Sequence, residues 1–162
     1  MKKLALLTVL TVLALIGVWL YFWQKEIGDD EVFILPKGYN GCVFILHDQK
    51  NGRPKRYELG KRVYEIPDNG ILKTQFSLNT GWHDIKYFHK VDEKLIEIPI
   101  TINNGEQFKS NETQVCCKSS GVARGNDDKK AIVFTRFCVG TKEEIRKGIE
   151  RSEKLNIADL VN

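Results

Sequence analysis

Charge is missing from one long stretch of the chain. Leu4 to Trp23 contains no Asp, Glu, Lys or Arg over twenty residues, and a helix of that length rises roughly 30 Å, the hydrocarbon thickness of a bilayer. Its outer end, Gly17-Val18-Trp19-Leu20-Tyr21-Phe22-Trp23, lacks the small-x-small pair of a cleaved signal peptide. No cysteine follows the run until Cys42, which argues against a lipid-modified amino terminus. Also missing are a GxSxG elbow, an HExxH helix, a phosphate-binding loop and any CxxC pair, so no motif points to a hydrolase, a nucleotide enzyme or a metal centre. The formal charge of +4, from 25 basic and 21 acidic residues, is too mild and dispersed for nucleic acid. With 42% hydrophobic and 28% charged residues, a disordered or collagen-like chain is excluded.

What is there divides the chain into three parts. Residues 1–23 read as an uncleaved signal anchor, whose partner is the lipid bilayer through residues 4–23. Trp19, Tyr21, Phe22 and Trp23 suit the headgroup level. Lys2 and Lys3 keep the amino terminus cytoplasmic, and residues 24–30 form a polar linker richer in acid than base. The expected topology is a single-pass protein of the cytoplasmic membrane with a periplasmic or extracellular domain over residues 31–162. Without Lys2 and Lys3 the chain carries 23 basic against 21 acidic residues, so charge makes no case for an anionic partner.

In the exported part, short strand-like runs alternate with turns. Strands are expected over 31–35, 42–46, 62–66, 71–76, 84–89, 94–100, 106–108, 113–117 and 130–139. Pro36 to Gly41 and Pro67-Asp68-Asn69-Gly70 punctuate them, and Asn51-Gly52 reads as a hairpin. Pro99 cannot donate to a ladder, which places the 94–100 strand at a sheet edge. Thr141-Lys142-Glu143-Glu144 is a capping box opening a helix over about 142–155, with Ile145 and Ile149 at helical spacing. The pattern predicts a mainly β, antiparallel sandwich-like domain with one carboxy-terminal helix.

Four cysteines, Cys42, Cys116, Cys117 and Cys138, lie on the exported side, where disulfides are favoured and three pairings are open. A bridge from Cys138 to Cys42 or to one of the adjacent pair is preferred, because neighbours in a strand point to opposite faces. No histidine stands near the cysteines at metal-ligand spacing, and no cofactor is expected. His47, His83 and His89 read as exposed turn residues, and no catalytic set is assigned. A basic loop of Lys50, Arg53, Lys55 and Arg56 is the candidate surface for a protein or other envelope component, though Glu58 dilutes it.

The string Phe33-Ile34-Leu35-Pro36-Lys37-Gly38-Tyr39-x-Gly41, then Tyr64-x-Ile66-Pro67-x-x-Gly70-Ile71-Leu72-x-Thr74 and Gly81-Trp82, resembles a family of small bacterial proteins of unknown function. Those proteins look like exported domains behind a membrane anchor or a lipoprotein signal. Val139-Gly140-Thr141-x-Glu143-Glu144 is similar to their closing strand-to-helix junction. The resemblance implies a fold and a location, and no substrate.

The expected function is therefore a non-enzymatic envelope binding or accessory module. Two other readings stay open: a thiol-dependent redox or nucleophilic protein using Cys116 or Cys117, and an immunity or inhibitor protein against an exported toxin.

Overall fold

The structure, a computed structural model, describes residues 2–25, 27–101, 111–124 and 131–161. A helix, α1 (Lys2–Lys25), forms where the uncharged run predicts one. Its described side chains run from Val9 to Tyr21, a length of roughly 20 Å. Among the described residues no helix is long and apolar enough to cross a membrane, so the structure does not support the expected transmembrane segment.

Nine strands follow among the described residues: β1 (Glu31–Leu35), β2 (Gly41–Leu46), β3 (Tyr57–Glu58), β4 (Lys61–Glu65), β5 (Ile71–Lys73), β6 (Ile85–Val91), β7 (Lys94–Ile98), β8 (Gln114–Ala123) and β9 (Ile132–Gly140). They form one sheet in the order β3-β4-β1-β6-β7 and a second in the order β5-β2-β9-β8. The strand expected over 106–108 lies outside the described residues.

The expected antiparallel pairing is corrected in both sheets. β1 runs parallel to β4 and to β6, and β2 runs parallel to β5. The reason lies in the turns. Pro36 to Asn40 carries the chain from the first sheet to the second, so β1 and β2 are not hairpin partners, and β1 takes its neighbours from later in the chain. Asn51-Gly52 is a turn, closed by the Gly52 N–H donating to the Gln49 carbonyl at 2.9 Å. It is not a hairpin: the chain leaving it meets Thr74 in a parallel bridge at Arg53. Gly52 is required there, because a Cβ would stand 2.6 Å from the Thr74 backbone nitrogen. β7 does lie at a sheet edge.

Alternation sets what each face meets. In β1, Glu31, Phe33 and Leu35 are buried while Val32 and Ile34 are half-buried. The Phe33 ring stacks on Tyr64 at 4.8 Å and on Tyr87 at 5.0 Å, both from its own sheet, and meets Phe137 of the second sheet edge-on at 5.3 Å. Val43, Ile45, Val115 and Val139 complete this core between the sheets. Each such side chain contributes about 1.5–3 kcal/mol by leaving water.

A third layer covers the outer face of the second sheet. Helix α2 (Lys142–Ser152) is opened by the expected capping box: the Glu144 carboxylate accepts from the Thr141 N–H at 2.8 Å. Ile145 and Ile149 then pack on the cysteine-bearing face of β2, β8 and β9. A short 3-10 turn, Ile157–Val161, follows.

None of the three histidines is an exposed turn residue. His89 is half-buried with Nδ1 2.9 Å from the Pro36 carbonyl. His47 is 3% exposed at the end of β2, with Nε2 2.9 Å from Thr135 Oγ1. Burial holds its imidazole below the ordinary 6.5, against smaller raising effects from Glu31 and Asp48. The folded state thus resists a proton that the unfolded chain accepts. Its contribution to stability is full above pH 6.5 and is lost as pH falls through the folded value. The melting temperature is expected to fall more steeply below pH 6.5 in wild type than in His47→Gln. Equal slopes in circular-dichroism melts at graded pH would refute this.

Candidate functional site

Three groupings of polar or reactive side chains stand out, and the first was not legible as a site in the sequence. Glu31, at the start of β1, faces inward beside Phe33 and is 4% exposed. Its Oε2 accepts from Lys118 Nζ at 2.8 Å and lies 3.3 Å from His83 Nε2, while Tyr64 donates its hydroxyl to Oε1 at 3.2 Å. His83 Nδ1 lies 2.8 Å from the Gly81 carbonyl. An oxygen thus faces each ring nitrogen of His83.

Burial, and then the charge of Glu31, push the Tyr64 and Tyr87 hydroxyls above their ordinary range. The Lys118 ammonium sits 5.5 Å over the Phe33 ring. Because Lys118 belongs to β8 and Glu31 to β1, this ion pair ties the two sheets together. Around it, Arg62 Nε donates to Asp29 at 2.7 Å, and Asn79 donates to the Asp29 carbonyl at 2.6 Å. Residues 27–30 are thereby held to the domain, with Ile27 bridging to Trp82. Both Glu31 oxygens are engaged, so the carboxylate acts as a clamp. The signal was in the alternation: Glu31 shares a face with Phe33 and Leu35, and a charged residue at an inward position needs partners.

The basic loop is half neutralised within the domain. Arg53 donates to the Glu65 carbonyl at 3.0 Å, Arg56 pairs with Glu65 at 2.6 Å, and Arg56 also pairs with Glu58. Lys50 and Lys55 are exposed and make no ion pair among the described residues. These exposed pairs are screened by salt and add little stability. Arg53, however, lines three clefts. One of about 160 Å³ lies against Val63 and Leu72; one of about 560 Å³ adjoins Asn69 and Ile71; one of about 350 Å³ reaches Pro36 and Lys90.

The cysteines form the third grouping. Cys42 is bonded to Cys138 and Cys116 to Cys117. Cys42 and Cys138 are register partners across β2 and β9. The adjacent pair departs from the opposite-faces rule because β8 is irregular between Cys116 and Ser119, where Cys117 takes a left-handed conformation (φ 64°). That bend brings its sulfur round to the side of Cys116. All four sit in one cluster beneath Ile145 and Ile149. Among the described residues no group of three His, Cys, Asp or Glu side chains is placed to hold a metal ion.

A family model described as a family of unknown function, DUF6843, matches residues 28–148. The chain belongs to the DUF6843 family. In this DUF6843 member the matched span contains the Glu31 clamp, the basic loop and all four cysteines, and it starts after α1. A crystal structure from Bacillus anthracis, described as a "Putative Lipoprotein", is similar in fold, with a TM-score of 0.51 at 14% sequence identity. The likeness covers 74% of this chain and 75% of that one. No curated protein matches the chain.

The motifs that carried the resemblance have a physical role in this DUF6843 fold. The Tyr39 hydroxyl donates to the Cys42 carbonyl at 3.0 Å and occupies the space where a Cβ on Gly70 would sit. Gly70, at φ 71°, therefore has two reasons to be glycine.

Proposed function

We propose that this protein is a membrane-anchored extracytoplasmic module that binds another envelope component and has no catalysis of its own. The observation that carries the reading is the position of Arg53, whose side chain walls three clefts at once. Clefts sharing one guanidinium suit an extended partner segment, with apolar contact at Ile71 and Leu72 and charge-assisted hydrogen bonds from Arg53. A segment carrying a carboxylate would compete with Glu65 for that guanidinium.

Anchoring rests on α1. Its sequence is uncharged from Leu4 to Trp23. Its described apolar side chains are open, from 44% exposed at Leu20 to 68% at Leu15, a surface that water disfavours and lipid accepts. The Bacillus anthracis neighbour's description, "Putative Lipoprotein", is in keeping with membrane attachment.

The test is photocrosslinking in cells expressing the full chain, with a benzophenone amino acid at position 73, beside the clefts, or at position 147 on α2 as control. A discrete adduct from position 73 that Arg53→Glu abolishes supports the reading. Equal adducts from both positions, or none, overturn it. For the anchor, the chain is expected to stay with membranes through alkaline carbonate washing. Release into the wash would remove that half of the proposal.

A further inference from the structure

The binding reading leaves the cysteine cluster unused. Strand order β2-β9-β8 sets Cys42, Cys138 and Cys116 side by side in one row: Cys138 is the register partner of Cys42 on one side and of Cys116 on the other. Directly opposed residues on neighbouring strands project to the same face with Cβ atoms roughly 4.5–5.5 Å apart. Cys138 thus has a cysteine as its direct cross-strand neighbour on each flank, and the structure shows it bonded to Cys42. Cys116, the other flanking residue, is bonded to Cys117. Exposure grades the four: Cys138 is fully buried, Cys116 is 2% exposed, and Cys42 and Cys117 are half-buried, Cys42 beneath α2 and Cys117 on the bulged segment of β8. A thiol arriving from solvent at this pair meets Cys117 before Cys116.

We propose that the four cysteines are a thiol–disulfide relay, in which an external dithiol reacting at Cys117 moves the bridge of Cys138 from Cys42 to Cys116. The donor is a dithiol of the class carried by thiol–disulfide oxidoreductases. One donor thiolate attacks Cys117 Sγ; the bond to Cys116 breaks and Cys116 leaves as a thiolate. Cys116 then attacks Cys138 Sγ, which it flanks on the strand opposite that of Cys42. The Cys116–Cys138 bond forms, and Cys42 leaves and takes up a proton. The donor's second thiol attacks the mixed disulfide, so the donor departs as its own disulfide and Cys117 is left as a thiol. Two electrons and two protons pass from the donor to the protein, which ends with one bridge, Cys116–Cys138, and two thiols, Cys42 and Cys117.

The row is also mechanically coupled to α2. A Cβ added at Gly148 would lie 3.2 Å from Cys42 Sγ, so the helix sits directly on the sulfur that the relay releases. The relay therefore changes the surface on which α2 rests.

The experiment uses the full chain in mild detergent with dithiothreitol as the donor. Samples are acid-quenched over time, blocked with N-ethylmaleimide and mapped by peptide mass. After two-electron reduction, the expected species has Cys42 and Cys117 blocked and a Cys116–Cys138 linked peptide. In Cys116→Ser, exposure of Cys42 is expected to slow by about tenfold or more. Blocking of Cys116 together with Cys117 while Cys42–Cys138 persists would overturn the relay, as would opening of Cys42–Cys138 first or resistance of both bridges to the dithiol. Cys117→Ser supplies a second test without any reductant, since Cys116 is then a thiol beside Cys138. Both Cys42–Cys138 and Cys116–Cys138 peptides are expected, and finding Cys42–Cys138 alone after long incubation at mildly alkaline pH would overturn the proposal.

Discussion

The double variant Cys42→Ala/Cys138→Ala is expected to lose about 4 to 5 kcal/mol of stability by loop-closure entropy. The bridge joins residues 96 positions apart, so cutting it frees a loop that includes most of the domain in the unfolded state. Alanine suits the site otherwise, because Cys138 is fully buried among Ile145, Ile149 and the other cysteines and makes no polar demand there. A domain whose total stability is about 5–15 kcal/mol can lose its fold through such a change. Urea unfolding followed by far-ultraviolet circular dichroism measures it. A loss under about 1 kcal/mol would mean that the unfolded chain stays compact without the bridge.

Glu31→Gln is expected to cost about 2 to 3 kcal/mol, although it is nearly isosteric. The substitution removes the charge that Lys118 and His83 face, and turns one acceptor oxygen into a donor between groups that donate. Full removal of one member of a buried pair costs about 3–5 kcal/mol, and the lower figure allows for Lys118, whose side chain is 27% exposed and partly hydrated. Lys118→Met should cost less, since Glu31 keeps His83 and Tyr64. If the urea midpoint of Glu31→Gln matches wild type, the clamp between sheets is not a stabilising feature.

Much of the fold was legible in the sequence, and the reasons are local. Glu31 to Leu35 and Cys42 to Leu46 are bounded by turn residues, the strand expected over 94–100 forms over Lys94–Ile98, and Thr141 with Glu144 announces α2 through a cap that needs only four residues. Pairing was not legible. Whether β1 lies beside β2 or beside β4 and β6 depends on the path through Pro36 to Asn40, and a turn motif states that the chain bends without stating which sheet it joins. Asn51-Gly52 shows the same limit: the dipeptide makes its turn, yet the strand that follows is elsewhere.

The groupings split in the same way. The loop from Lys50 to Arg56 was visible as a run of charge diluted by the nearby Glu58, but its other partner, Glu65, comes from β4. His83 read as exposed because its neighbours are turn residues, whereas it folds back onto Glu31, 52 positions earlier in the chain. Cys117 broke the alternation rule through one left-handed residue that no composition argument foresees.

β1 follows residues 27–30 directly and occupies the middle of its sheet, with parallel neighbours on both sides. A pull applied at its amino-terminal end runs along the strand, not across it. The hydrogen bonds to β4 and β6 would then be loaded together in shear, whereas a hairpin at a sheet edge peels open one bond at a time. Pulled from that end, the domain would resist extension through both ladders of hydrogen bonds at once.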